Sequence, residues 1–279
     1  MSDTTTDPKN AATGLHYRVE DSIAVITIDR PEVGNSLGEG MSEAIRAIWS
    51  DVRDNTQIRA AVITATGERH FCTGADVGRL KTTDDEETSM INRPMDQVVF
   101  WSPHQNKVWK PVVCAVNGLV NGAGLHFVVD SDIIVASENA AFMDTHVNVG
   151  QVGAIENIGL TRRLPLGTAL RMTLQGRSFR LPAARAYQLG LVDELVATPA
   201  EVLPKAMEIA RAIAANSPNA VALSKEALWK SLDMGYAQSL EYGWSLLRLH
   251  WGHPDFEEGP SAFGAKREPK WNPSPNARR

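Results

Sequence analysis

The 279-residue chain has only two cysteines, Cys72 and Cys114, and both sit in apolar stretches. A disulfide framework is therefore excluded as a source of stability, and a reducing compartment such as the cytoplasm is expected. No segment approaches the ~18 continuous apolar residues of a membrane span, so no membrane partner is expected. Basic charge is in the minority: 28 Lys and Arg stand against 33 Asp and Glu, a net charge of −5. These Lys and Arg form no stripe, which argues against a nucleic-acid partner. Repeats and low-complexity tracts are also missing. The first residues, 1–13, are polar and carry no apolar signal segment, and they are expected to form a disordered leader. What is present is the balance of a globular protein, 43% hydrophobic and 22% charged. A chain of this length buries a sizeable core without staples.

The pattern along the chain is mixed α/β. Residues 22–29, 60–65, 112–116 and 132–136 are short β-branched runs that read as strands, with a helical spacing of apolar residues over 39–54 between the first two. Near-continuous apolar strands separated by helices predict sheets covered by helices. From Leu164 onward the signal becomes helical, over 167–174, 182–189, 199–215, 218–232 and 236–250. The segment GLVDELV (190–196) interrupts this run and is expected to cap the core. The last stretch, 253–279, reads as loop-rich.

Two glycine turns stand where strands end. Phe71-Cys72-Thr73-Gly74-Ala75-Asp76 follows one strand. Asn117-Gly118-Leu119-Val120-Asn121-Gly122-Ala123-Gly124 follows another and leads into an apolar helix over 125–129. A helix start leaves backbone N–H groups unpaired, and the helix dipole favours negative charge there. Small residues let a ligand atom come close to the backbone. Two such N–H groups converging on one oxygen would form an oxyanion hole, in which a lost donor typically costs ~10²–10³ in rate. The plainer alternative for each is a tight strand-to-helix turn.

Taken together, the segments ITIDRPEVGNSL (26–37), AVITATGERHFCTGADV (61–77), KPVVCAVNGLVNGAGLHFVVDSDIIVAS (110–137), AAFMDTHVNVGQVGAIENIGLTRRLP (140–165), GLVDELV (190–196) and EGPSAFGAKREP (258–269) stand in the order of one family. The chain resembles the crotonase (enoyl-CoA hydratase/isomerase) superfamily over roughly residues 15–271. The resemblance implies an α/β spiral of ββα units over 14–200 that carries the active site. It also implies a C-terminal helical region over 201–279 for trimerisation and CoA contact. The expected partner copies form a homotrimer or a dimer of trimers, and the substrate is an acyl-CoA. Coenzyme A enters as part of that substrate, with no permanently bound cofactor and no metal. By position, the oxyanion donors are the N–H groups of Ala75 and Ala123, with Asp76, Gly122 and Gly124 shaping the substrate turns. Phe263 and Lys266 fall where the family meets the CoA adenine and phosphates, across a subunit boundary; for Lys266 a solvated tail charge is the alternative.

The departure lies in the catalytic groups. Where the hydratases carry two glutamates, this chain has His126 and, twenty positions later, His146. A neutral imidazole accepts a proton near pH 7 with little tuning. His146 is therefore the expected general base, oriented by Glu156 or Asp144 in the manner of a triad. His126 is expected as a second acid/base group or a carbonyl-polarising donor. The alternative is that both histidines are packed interior residues. His70 could approach the thioester mouth, although an exposed turn histidine is the simpler account. Trp101, Trp109, Trp244 and Trp251 could narrow an acyl pocket or serve core packing. Three functions stay open: hydration or isomerisation of an enoyl-CoA, hydrolytic C–C cleavage of a β-diketone or cyclic β-keto acyl-CoA, and a catalytically idle acyl-CoA-binding scaffold.

Overall fold

The computed structural model describes residues 13–76 and 92–277. The expected leader lies outside these residues except for Thr13, as does Val77 at the end of the first glycine-turn segment. The larger of two sheets has the order β1 (Leu15–Glu20), β2 (Ile23–Ile28), β3 (Ala60–Ala65), β5 (Val112–Val116), β7 (Ile133–Ser137) and β10 (Glu194–Val196). The smaller has β4 (His70–Cys72), β6 (Leu119–Asn121), β8 (Ala141–Met143) and β9 (Leu181–Pro182), in that order. Among the described residues only the pairs β1–β2 and β8–β9 are antiparallel. β1 and β2 form a hairpin whose turn residues, Asp21 and Ser22, have φ of 50° and 63°, the conformation that matches strand twist in a two-residue loop.

The chain alternates between the sheets. β3 is followed by β4, β5 by β6 and β7 by β8, so each turn of the chain adds one strand to each sheet. This is the expected spiral.

The apolar strands divide their side chains between two cores. Ala24, Ile26, Ile28, Ala61, Ile63, Val112 and Cys114 face the smaller sheet and α1 (Met41–Asp54). Their neighbours Ile23, Val25, Ala60, Val62, Val113 and Ala115 pack with Val202, Ala206 and Ala210, which lie on α7 (Pro199–Ala214). A strand covered on both faces has no polar side to show, which is why these segments read as continuous apolar runs.

Short helices fill the crossings: α2 (Met95–Val98), α3 (Leu125–Val129), α4 (Ile155–Leu160), α5 (Leu166–Gln175) and α6 (Ala183–Leu189). α8 (Pro218–Ser231), α9 (Tyr236–Trp251) and α10 (Asp255–Gly264) follow α7. Among the described residues no helix is long and apolar enough to cross a membrane.

Three sequence expectations need correction. The first helix starts at Met41, after Gly40 with φ of 74°, not at 39. GLVDELV does more than cap the core, because β10 pairs in parallel with β7 at the edge of the large sheet. The C-terminal stretch is not only loop, since α10 runs through Pro260. Its N-terminal Asp255 accepts hydrogen bonds from Ser217 Oγ at 2.5 Å and Asn272 N at 2.7 Å. These bonds anchor a helix that local propensity alone disfavours.

One buried ion pair docks the C-terminal helices on the spiral. Lys225 Nζ of α8 lies 2.8 Å from Asp132 Oδ2, with side-chain exposures of 9% and 17%. Asp132 also accepts from Val112 N and Trp229 Nε1, each at 2.7 Å. Removing one partner leaves the other charge buried and unpaired. Asp132→Ala is thus expected to lower stability by about 3–5 kcal/mol in urea denaturation. The surface pair Arg162–Asp233 is the control: Asp233→Ala is expected to cost less than about 1 kcal/mol. Equal losses would mean that Asp132 is not the docking charge.

Candidate active site

The two glycine turns lie against each other. Leu37 N donates to Gly74 O at 2.8 Å, and Asp76 N donates to Leu37 O at 3.2 Å. Ala75 lies between these two bonded groups, so strand alternation turns its own N–H away from Leu37. Gly74 has φ of 94°, and a Cβ there would stand 3.0 Å from Asn121 O and 3.2 Å from Ala123 N. A Cβ on Gly124 would meet Cys72 O at 2.5 Å. Gly124 is therefore required by contact, and Gly74 by its left-handed backbone conformation. Ala123 occupies the single 3-10 turn Gly122–Gly124 that runs into α3, where a first-turn N–H has no carbonyl one turn back. Asn121 fastens the assembly: its Nδ2 donates to Thr73 O at 3.0 Å and to Thr145 Oγ1 at 2.9 Å. One side chain thus joins the first turn, the second turn and the segment that brings His146.

Four titratable side chains gather beside these turns. His146 Nδ1 lies 2.5 Å from Asp144 Oδ1 and 3.2 Å from Glu156 Oε1. Glu156 Oε2 in turn lies 3.4 Å from His126 Nε2. His126 is carried by α3 and Glu156 by the first turn of α4. Asp144 is fully buried. It accepts from His146 N at 3.1 Å and from Asn157 Nδ2 at 2.6 Å. His146 keeps a quarter of its side chain exposed, against 6% for His126 and Glu156. The ring edge of His146 points toward the second turn, with its Cε1 3.5 Å from where a Cβ on Gly122 would be.

The environments push the two imidazoles apart. The Asp144 hydrogen bond, opposed by burial and helped by the Glu156 charge, holds His146 above the ordinary histidine value. Burial, helped by the His146 charge, pushes His126 down to about 4. Burial also acts to raise Asp144, but its hydrogen bonds from His146 and Asn157 prevail and hold it below the usual carboxylate range. In Glu156 burial prevails and raises the carboxyl, with partial relief from its own backbone amide and from His146. Titratable groups with opposed shifts in one cluster mark acid/base chemistry.

Asp144, His146 and Glu156 can each offer a ligand atom, all within 4.8 Å of one another. As placed, the 2.5 Å between His146 Nδ1 and Asp144 Oδ1 is a hydrogen-bond distance. Two such ligands around an ion at ~2.1 Å would stand about 3 Å apart.

The structure brings together His126, His146, Glu156, Ala75, Ala123, Gly122, Gly124 and Asp76. Both expected orienting groups for His146 are present, with Asp144 the nearer. Phe263, 88% exposed, and Lys266, with φ of 50°, stand at the surface end of α10. His70 belongs to β4 and not to a turn. It borders a cavity of about 260 Å³ lined also by Glu32, Asn35 and Arg69. Trp101 packs on the core, while Trp244 and Trp251 pair edge to face at 5.2 Å on α9. Trp109 packs against His104. Sequence reasoning missed Asn121, Asn157 and Gln105, whose Nε2 lies 3.1 Å from His126 Nδ1. All three act through amide groups that no local pattern distinguishes from the amides of solvent-facing side chains.

Residues 18–274 match the family described as Enoyl-CoA hydratase/isomerase. The chain is 33% identical over 256 residues to an (E)-benzylidenesuccinyl-CoA hydratase from Thauera aromatica, covering 90% of this chain and 96% of that one. It is 34% identical over 258 residues to a mevalonyl-coenzyme A hydratase from Aspergillus fumigatus, covering 90% and 92%. A crystal structure of an enoyl-CoA hydratase/isomerase from Mycobacterium paratuberculosis superposes with a TM-score of 0.80 at 36% identity, over 94% of this chain and 99% of that one.

The Asp144–His146 contact makes a prediction that needs no substrate. The NMR titration midpoint of His146 should lie above the ordinary value of ~6.5. Asp144→Asn should lower it by about one unit or more, because an opposite charge at hydrogen-bond distance is lost. An unchanged midpoint would assign the upward shift to Glu156 instead.

Proposed function

The chain belongs to the enoyl-CoA hydratase/isomerase family, and from that premise we propose that it adds water reversibly across the double bond of an enoyl-CoA thioester, using imidazole where the hydratases use carboxylate. The observation that carries this reading is the Asp144–His146 pair. Asp144 engages Nδ1 at 2.5 Å, so the lone pair available for a proton is on Nε2 of a ring that faces the glycine turns. Two relatives named as hydratases, of benzylidenesuccinyl-CoA and of mevalonyl-CoA, support water addition as the reaction.

In this reading the thioester oxygen rests on the N–H groups of Ala75 and Ala123, with Asp76, Gly122 and Gly124 shaping the turns around it. Water adds to Cβ of the enoyl group and gives a proton to His146 Nε2. Negative charge develops on the thioester oxygen as the enolate forms, where fixed backbone donors are most effective. The imidazolium then returns a proton to Cα and is neutral again. Glu156, close to both rings, holds the water. The reaction needs no resident cofactor or metal; coenzyme A comes with the substrate.

The same Asp–His pair favours a second reading. Water activated by His146 could attack a carbonyl of a β-diketone or cyclic β-keto acyl-CoA, expelling the enolate into the same turns. A product screen in H₂¹⁸O separates the two. Label in a new hydroxyl on an intact chain is expected. Label in a new carboxylate after chain or ring cleavage would establish the second reading, exchange of α-protons alone would indicate isomerisation, and silence would indicate an idle scaffold. With the substrate identified, His146→Ala should lower kcat by roughly 10²–10⁴ with a much smaller effect on KM. kcat/KM should fall as pH drops through the raised pKa of His146, because the protonated ring cannot accept a proton. A profile flat from about pH 5 to 8 contradicts His146 as base.

The assembly is read as a trimer or a dimer of trimers. α8 and α9 expose an apolar groove that includes Leu228, Tyr236, Leu240 and Trp244, with Tyr236 81% exposed. Contiguous apolar surface of this kind marks an interface. Phe263 and Lys266 would then reach the CoA bound by a neighbouring copy. Light scattering should report a trimer or hexamer for the native chain. Leu228→Glu with Leu240→Glu should shift it toward monomer with far-UV circular dichroism unchanged. A native monomer would remove the assembly from this reading.

A further inference from the structure

His126 is the less accessible of the two histidines, and its surroundings fix where its proton sits. Its Nδ1 lies 3.1 Å from Gln105 Nε2. An amide can be turned either way, so the direction of that bond depends on what holds the other end of the glutamine. Gln105 Oε1 accepts the backbone N–H of Ser102 at 3.0 Å. A backbone N–H only donates, so the atom it meets must be the amide oxygen, and the NH₂ must face His126. His126 Nδ1 therefore accepts, and the single proton of the neutral ring is on Nε2.

The loop that carries Gln105 is itself tightly held. Ser102 Oγ accepts Gln105 N at 3.2 Å and donates to Asp130. Asn106 Nδ2 donates to Phe100 O at 2.7 Å and Ser102 O at 2.8 Å. Asp130 follows α3, the helix that carries His126. The loop thus grips α3 at two places, one of them the imidazole. On the other side, His126 Nε2 faces Glu156 Oε2 at 3.4 Å, while His146 approaches the second oxygen of the same carboxylate. The groups facing His126 are then neutral Gln105, the Glu156 carboxyl from α4 and His146. Burial keeps the ring neutral, its pKa being about 4, so one tautomer holds across the pH range in which an acyl-CoA enzyme is assayed.

We propose that Gln105 is a positioning residue that locks His126 in the tautomer with its proton on Nε2, making His126 a hydrogen-bond donor toward Glu156 and the water beside it, and leaving proton abstraction to His146. The two histidines then have opposite duties although they are the same residue type. Gln105 holds one ring as a donor, and Asp144 holds the other with Nε2 as acceptor. The kinetic part of this proposal rests on the hydration reading above; the tautomer part does not.

The test is ¹⁵N NMR of the full-length protein labelled at histidine, with His126 assigned from the spectrum of His126→Asn. The expected result is a pyridine-type Nδ1 and a pyrrole-type Nε2. In Gln105→Glu both carboxylate oxygens accept, one from Ser102 N and one from the ring, so the pattern should reverse. With the donor lost, kcat should fall by about 10²-fold, the scale on which one positioned hydrogen-bond donor acts in a transition state, while KM stays within about threefold. Gln105→Met, similar in size but without the hydrogen bond, should give a mixed spectrum and an intermediate kcat. A pyrrole-type Nδ1 in the native protein overturns the proposal, as does a Gln105→Glu spectrum that does not reverse. A reversed tautomer with kcat unchanged overturns the division of duties. A native protein with no hydratase turnover overturns only the hydration reading, and the spectrum still decides the tautomer.

Discussion

The close approach of two backbone turns is the constraint on which the rest of the structure depends. A side chain at Gly124 would collide with Cys72 O, and one at Gly74 would strain a left-handed backbone while crowding Asn121 O and Ala123 N. These contacts set the distance between β4 and β6, neighbours in the smaller sheet. They also decide where α3 begins, and therefore where His126 points. In the proposed reading the same turns supply the N–H groups of Ala75 and Ala123 to the thioester oxygen. The buried strands of the larger sheet act as a rigid frame for this arrangement. Interiors packed this densely do not deform by small steps.

Charge is then distributed around the turns by burial. Asp144 is fully buried yet held below the usual carboxylate range, because three hydrogen bonds, two from His146 and one from Asn157, oppose the desolvation. Glu156 lacks comparable support and is raised. His146 gains from Asp144, while His126, facing only a neutral amide on one side, loses to burial. Hydrogen-bond partners separate the two carboxyls: Asp144, held by His146 and Asn157, is kept in the lower range, and in Glu156 burial prevails. An arrangement of this kind allows one imidazole to exchange protons near neutrality while the other stays neutral.

The legible and illegible parts of the sequence differ in physical kind. β3 and β5 were readable to the residue because both faces of each strand are apolar. β4, β6 and β8 have three residues each, too short for any periodicity, and they belong to the segments that the glycine turns dominate. β1 was missed because, as an edge strand, it buries only Leu15 fully. α10 was hidden by Pro260 and two glycines, and it stands because distant groups bond to Asp255. In the site, His126, His146 and Glu156 could be named because ionisable groups at matched positions are conspicuous. The choice between Asp144 and Glu156 as partner of His146 needed distances. Gln105 had no local sign at all, since its meaning depends on a histidine twenty-one positions away.

That last case shows why residue type alone does not assign a role here. An imidazole is a donor, an acceptor or both, and the ring does not choose. At His146 the choice is made by a carboxylate that can only accept, so the Nδ1 side carries the proton. At His126 it is made by an amide whose own direction is set by a backbone N–H, so the Nδ1 side lacks one. Each chain of constraint ends on a group with no freedom, a buried carboxylate in one case and a peptide N–H in the other. Carboxylates at these two positions would need no such instruction, because an ionised carboxylate accepts on every side. Placing histidines there transfers the specification outward, to Asp144 and Asn157 for one ring and to Gln105 and Ser102 for the other.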